Sequence, residues 1–320
     1  MGLIFRRDVA AQPKPPIAVR VRSRWSPGRN WVLHVMVLPA LILTVLFSYF
    51  PMMGIIMAFQ EFKPWLGFGN SPWVGLTHFE TLLAFPETRQ VIVNTLVISI
   101  LKIIFNILVP LVFALLLNEV RFGLFKRAVQ TVTYLPHFLS WVMLGAILTD
   151  MLSIDGIINS TLVSLFGIEP IFFLGKSDWF LGTIVASDVW KNYGFSTIIY
   201  LAALTGIDAT LYEASAIDGA SRWQQTIYIS IPSILPILIV VATLSLASIL
   251  NGGFDQIYNL YNPLVYDVGD IIDTYVYRIG LLSGRYSFAA AVGLFKSVVG
   301  FVLIFISYRL AYKYAGYRVF

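Results

Sequence analysis

Few side chains in this sequence are equipped for covalent chemistry. It has no cysteine, which removes disulfides, thiolate metal ligands and cysteine nucleophiles. The three histidines, His34, His78 and His137, lack HExxH-type spacing and read as interfacial or packing residues rather than metal ligands. Asp267, Asp270 and Asp273 recur at every third position, a pattern by which carboxylates hold a divalent ion in membrane transferases. No second cluster accompanies them, so a solvated face or a protein contact is the stronger expectation. Gly175-Lys176-Ser177 looks like the end of a phosphate-binding loop, but Pro170 stands where its first glycine belongs. No catalytic residue and no metal site is assigned.

A different chemistry is suggested by charges and aromatics inside long apolar runs. Lys102, Lys191 and Lys296 fall at similar depth, roughly 12–18 Å along their helices at about 1.5 Å per residue. Charges there are costly enough to be functional candidates. Asp188 stands one turn from Lys191 and is expected to pair with it, leaving a net positive interior if Lys102 and Lys296 face the same cavity. A cationic pocket suits an anionic sugar, although a lysine can also snorkel or bond a carbonyl. Trp190-Lys191-Asn192-Tyr193 joins aromatic faces to hydrogen-bond donors, the combination that holds a sugar ring. Gly194 beside it is expected to loosen the helix near the midplane, where transporter sites are often built.

The elements that must position these residues are membrane helices. The chain is 58% hydrophobic and only 12% charged, with a mean hydropathy of +0.79, outside the usage of soluble domains. Its net charge of +5 reflects basic loops rather than a nucleic-acid footprint, so no nucleic-acid partner is expected. A bilayer core needs roughly twenty apolar residues per helix. Six runs qualify: Trp31 to Phe50, Val91 to Leu117, Phe138 to Ile154, Trp179 to Leu204, Ile231 to Leu250 and Phe288 to Leu310. The third is the weakest, being short and ending near Asp150 and Asp155, and extending it back towards Thr131 supplies the missing turn.

Lysine and arginine set the orientation. They crowd the first thirty residues, the stretch of Arg121, Lys126 and Arg127, Arg222, and the final Arg309, Lys313 and Arg318. The opposite loops hold only Lys63, Arg89, Lys176, Arg278 and Arg285. Both termini are therefore expected on the cytoplasmic side. The resulting organisation is a basic cytoplasmic tail at 1–30, a first transmembrane helix at 31–58 and an outer loop at 59–89. A membrane core follows at 90–310, interrupted by a cytoplasmic loop at 207–232, and a cytoplasmic end at 311–320.

That cytoplasmic loop carries the most specific pattern. Thr210 with Glu213 and Ser221 with Gln224 each form an S/T-x-x-E/Q capping box, predicting two short helices. Asp218-Gly219 supplies the turn between them, and Pro232 suits the first turn of the fifth span. Small residues at 214–216, 219 and 220 shape the loop to enter a cleft on another protein. The residues alone also allow an ordinary ordered loop.

Glu213-Ala214-Ser215, three residues, Gly219, nine residues, Ile229, one residue and Ile231-Pro232 resemble the EAA loop of ABC importer permeases, whose pattern is EAA-x3-G-x9-I-x-L-P. Ser215 stands for the third position's alanine and Ile231 for leucine. The resemblance covers residues 90–310. Phe47-Ser-Tyr-Phe-Pro-Met-Met-Gly-Ile-Ile-Met-Ala-Phe59 is similar to the complex-carbohydrate branch, alginate-oligosaccharide importers among them. The resemblance implies an all-α, six-helix type I permease in the bacterial inner membrane, paired with a second permease subunit. It implies two ATPase subunits docked on the EAA loops, which use ATP and magnesium while this chain binds neither, and a periplasmic solute-binding protein. Glu213, Ala214, Ser215, Asp218, Gly219 and Ala220 would couple to the ATPase. Asp188, Trp190, Lys191, Asn192, Tyr193, Lys296 and Lys102 would line the path of an acidic, alginate-like oligosaccharide. The rival readings are a membrane transferase built on Asp267, Asp270 and Asp273, and an ion-coupled secondary transporter.

Overall fold

The computed structural model describes residues 31–315; the expected tail at 1–30 and residues 316–320 lie outside the described residues. Apolar runs of this length must satisfy every backbone group internally, and among the described residues they do so as helices, with a single isolated β-bridge between Gln60 and Trp73. The helices are α1 (Leu33–Phe59), α2 (Thr77–Ala84), α3 (Pro86–Glu119), α4 (Gly123–Tyr134), α5 (Trp141–Met151) and α6 (Ile157–Phe166). They continue as α7 (Ser177–Thr205), α8 (Ala209–Ile217), α9 (Arg222–Ala247), α10 (Phe254–Leu260), α11 (Ile272–Val276) and α12 (Tyr286–Ala315). Four continuous helices, α1, α3, α9 and α12, are long and apolar enough to cross a membrane, and two bent pairs raise the number to six.

One bent pair corrects the expected third span. Phe138–Ile154 holds only the short helix α5, and its extension back towards Thr131 is not one helix with it: α4 runs on through a 3-10 turn at Leu135–Phe138, and α5 restarts at Trp141 with a bend of 103°. Pro136 prevents the helix from continuing, and Ser140 caps the new one, its hydroxyl accepting from the Met143 N–H at 3.3 Å. The other bent pair is α7, itself long enough to span, followed after Gly206–Asp208 by α8, turned through 68°.

The helices α3 and α7 pack in parallel along their length. Ile98 meets Phe180 and Ile184 in one buried cluster, and Ala114 and Leu117 meet Tyr200, Leu201 and Leu204 in another. Ile234 near the start of α9 joins the second cluster, so α9 runs antiparallel to them. Val91, Leu250, Phe288 and Val292 close a third cluster at the opposite end, which sets α12 parallel to α3. The connection bearing α8 therefore lies at one end of the bundle, and the segment α10–α11 at the other.

Candidate functional site

The structure settles how the segment between α7 and α9 is built. Asp208, not Thr210, caps α8: its carboxylate accepts from the Thr210 N–H at 2.9 Å, and that bond holds its pKa below the usual aspartate value. The expected Thr210–Glu213 capping box is therefore absent, because Thr210 already lies inside the helix and Glu213 points outward, exposed. α8 ends in a Schellman turn, with Ala220 N–H donating to Ser215 C=O at 2.9 Å and Gly219 N–H to Ala216 C=O at 3.1 Å. Gly219 takes φ +80°, which a side chain at this position would strain. Ala214, Asp218 and Gly219 are exposed around the turn, and Ala220 is half-buried.

Ser221 and Gln224 do form a reciprocal capping box, at 2.7 and 3.4 Å. It starts not a separate second helix but the fifth span itself, which begins at Arg222, two turns earlier than hydropathy suggests. Pro232 would break an α-helix here. The chain inserts a π-turn at Thr226–Ser230 instead, with Ile231 N–H donating to the Thr226 carbonyl five residues back. The long apolar helix thus carries its first charged and polar turns directly into the segment beside α8.

Inside the bundle, the pairing expected between Asp188 and Lys191 is not formed. Asp188 pairs with Lys102 at 3.7 Å and accepts from Asn106 at 2.8 Å. Lys102 also donates to the Gly252 carbonyl at 2.7 Å and to Gln256, whose own amide donates to Ile184 C=O and Ser187. Lys191 turns to the break between α4 and α5, where it donates to the carbonyls of Pro136, His137 and Leu139 at 3.3, 2.7 and 2.7 Å. A cation placed on orphaned carbonyls at a helix end is a capping role. Lys296 pairs with Asp273 at 2.5 Å. All three lysines are matched within the chain, so they do not create the shared cationic cavity that equal depth suggests.

The run beside them divides by face. Asn192 binds the His137 ring at 3.1 Å, and that ring stacks on Phe195 at 4.1 Å. Tyr193 meets Phe113 edge to face at 5.1 Å. Trp190 remains 45% exposed, beside a groove of about 600 Å³ lined also by Leu101, Phe105, Val109 and Tyr193. Gly194 does not loosen α7, which is continuous through it. A methyl there would strike the Thr133 carbonyl, so the glycine lets α4 and α7 cross closely.

The acidic triplet at the opposite end separates onto different partners. Asp267 accepts from Ser177 at 2.9 Å and Asp273 binds Lys296, while Asp270 binds Arg278 and accepts from Thr274 at 2.7 Å. Asp270 is 1% exposed, which corrects the expectation of a solvated face at that residue, while Asp267 is exposed and Asp273 half-buried. Burial pushes its carboxyl above the usual aspartate range, against the bonds from Thr274 and Arg278. The three carboxylates do not converge, and among the described residues no group of histidine, cysteine, aspartate or glutamate is placed to hold a metal ion. Asp267, Asp270 and Asp273 thus do not form the cluster on which the transferase reading rests.

Several polar residues of this interior escape the sequence patterns. Asn94 donates to the carbonyls of Asp267 and Asp270, Asn106 to Asp188, and Gln256 bridges α10 to α7. Their signal is an amide side chain in or beside an apolar run, where it serves as interhelical glue.

The profile of the family described as "Binding-protein-dependent transport system inner membrane component" matches residues 106–315. Protein LplB of Bacillus subtilis (strain 168) is 42% identical over 299 residues, covering 93% of this chain and 92% of LplB. The polygalacturonan/rhamnogalacturonan transport system permease protein YteP of the same organism is 43% identical over 282 residues, 88% of each chain. A chain in the crystal structure of a bacterial ABC transporter involved in the import of the acidic polysaccharide alginate superposes with a TM-score of 0.83 at 38% identity, covering 90% of this chain and 97% of that one. A second such structure, in complex with an alginate pentasaccharide-bound periplasmic protein, gives 0.83 at 36% identity, covering 91% and 98%. The matched stretch takes in α7, α9, α12 and the exposed turn between α7 and α9, and by that match the chain belongs to the family of binding-protein-dependent transport system inner membrane components.

Proposed function

We propose that this chain is one of the two membrane-spanning subunits of an ATP-driven importer, taking an acidic oligosaccharide from an external binding protein into the cytoplasm by alternating access. In this reading both termini and the α8 segment lie on the cytoplasmic side of the inner membrane, where basic residues are concentrated. ATP and magnesium are used by two separate ATPase subunits. The second permease subunit completes the path.

The observation that carries the reading is the exposed turn at Glu213–Ala220. Its backbone is fixed by the Schellman bonds and a left-handed glycine, while Glu213, Ala214 and Gly219 stand clear of the bundle. A rigid, small-residue knob at the end of a membrane bundle transmits force because it deforms little when an ATPase cleft closes on it. The sugar class draws support from relatives: YteP is described as a polygalacturonan/rhamnogalacturonan permease, and the solved neighbours import alginate. Trp190 and Tyr193 on the groove face of α7 offer rings against which a sugar packs. Lys102, Lys191 and Asp188 hold α7 behind that face, Asn192 orients it through His137, and Lys296 ties α12 to α11 through Asp273.

The test is ATP hydrolysis by the assembled transporter, with and without binding protein loaded with a uronate oligomer. Glu213→Ala is expected to leave the assembly intact and to remove most of the substrate-stimulated hydrolysis. Full stimulation in that variant would sink the coupling role. Equal stimulation by neutral and acidic oligomers on the same binding protein would sink the acidic assignment.

A further inference from the structure

Within residues 209–220 only Tyr212, Ser215 and Ala220 are shielded from solvent; every other side chain is exposed. The attachment of α8 to the bundle therefore runs through very few groups. Gln225 in the first turns of α9, 6% exposed, donates its amide to the Tyr212 carbonyl at 3.2 Å and to the Ser215 hydroxyl at 2.9 Å. The Ser215 hydroxyl itself donates to the Tyr212 carbonyl at 2.9 Å. The Tyr212 hydroxyl shares a 2.9 Å hydrogen bond with Ser230, which is 5% exposed. Gln225 immediately precedes the π-turn Thr226–Ser230 that leads to Pro232, and Ser230 is its last residue. The two contacts thus grip α9 at the two ends of its π-turn.

We infer that Tyr212, Ser215, Gln225 and Ser230 form a latch that joins α8 to the head of α9, so that a push on α8 moves the fifth span as one lever. The inference rests on the coupling role proposed for Glu213–Ala220. It explains why a hydroxyl stands at 215, where the loop pattern has alanine: Ser215 is the acceptor that Gln225 needs. The oxygen of that amide, Gln225 Oε1, is buried with no partner, so the side chain is held by its donor end alone. Such a group is sensitive to loss of its acceptor. The π-turn between the grips is where a helix bends most readily, since its hydrogen bonds span five residues instead of four. These four are positioning residues; Glu213 and the turn make the contact.

The experiment uses the complete transporter with its second permease, ATPase subunits and binding protein, and reads ATP hydrolysed per oligosaccharide imported. Ser215→Ala should raise that ratio about fivefold, the factor corresponding to one net hydrogen bond of about 1 kcal/mol, and Gln225→Leu, which removes two bonds, by at least as much. The double variant should be no worse than Gln225→Leu alone, because that change already removes the contact to Ser215. Ser215→Thr, which keeps the hydroxyl, should restore the ratio. An unchanged ratio in both single variants, with a raised ratio in Glu213→Ala, would overturn the latch and leave the coupling segment standing. An unchanged ratio in Glu213→Ala as well would remove the coupling role and the latch with it. Loss of assembly in both Gln225→Leu and Ser215→Ala would make the contact a folding one and also overturn it.

Discussion

An ammonium group taken into an apolar helix must recover its hydration from the protein. Lys191 does so with three carbonyls freed by the break between α4 and α5, and Lys102 with a carboxylate, an amide and a carbonyl. Lys191→Met should therefore act on stability before it acts on sugar. Losing the bonds to the half-buried carbonyls of His137 and Leu139 costs up to about 1–3 kcal/mol each, the Pro136 carbonyl keeping the Leu139 N–H, so the purified chain should melt several degrees lower in detergent. A residue that only touched substrate would leave melting unchanged and raise KM. The lysines could be picked out in sequence because charge in an apolar run is rare. Their partners could not, since Asp188 has Lys191 one turn away on its own helix while the nearer cation in space comes from α3. Gln225 and Ser230 were equally silent, because one polar side chain near a helix start carries no periodic signal.

At the scale of elements, two irregularities organise the bundle: the bend after Pro136 and the π-turn before Pro232. Both follow from proline's missing N–H, and each is resolved differently. Pro136 ends a helix whose carbonyls Lys191 then caps, whereas Pro232 is absorbed by a wider turn within a continuous helix. Hydropathy alone registered neither, which is why the third run was read as one helix and the fifth as starting at Ile231. The Ser221–Gln224 box and the left-handed Gly219 were legible because both are local, set by side chains and dihedrals within a few residues. Gly194 was not, since its use is a contact with Thr133 on another helix. Gly194→Ala should push α4 away from α7, lowering both the yield of assembled transporter and its melting temperature. Unchanged yield and melting would show that the crossing has slack.

For the whole molecule, hydropathy and basic-residue counts were enough to indicate an all-helical membrane chain, because bilayer thickness fixes helix length and backbone bonding fixes helix type. The packing order of those helices was not readable, for it depends on apolar contacts such as Ile98 with Ile184 that any leucine-rich run could offer. Sidedness is directly measurable, since the sequence has no cysteine to remove. Single cysteines at Ala216 and Asp255, both exposed, should label with a membrane-impermeant maleimide from opposite sides, Ala216 only in inverted vesicles. Labelling of both from one side would contradict the orientation. The central claim is ATP-driven import of an acidic oligosaccharide by an assembly of which this chain is one part. Uptake of a labelled uronate oligomer by proteoliposomes tests it most directly, with the loaded binding protein outside and ATP inside. The account predicts uptake only with the second permease, the ATPase subunits and ATP all present, and its loss in Glu213→Ala. Uptake by this chain alone, driven by an ion gradient and indifferent to ATP, would contradict it.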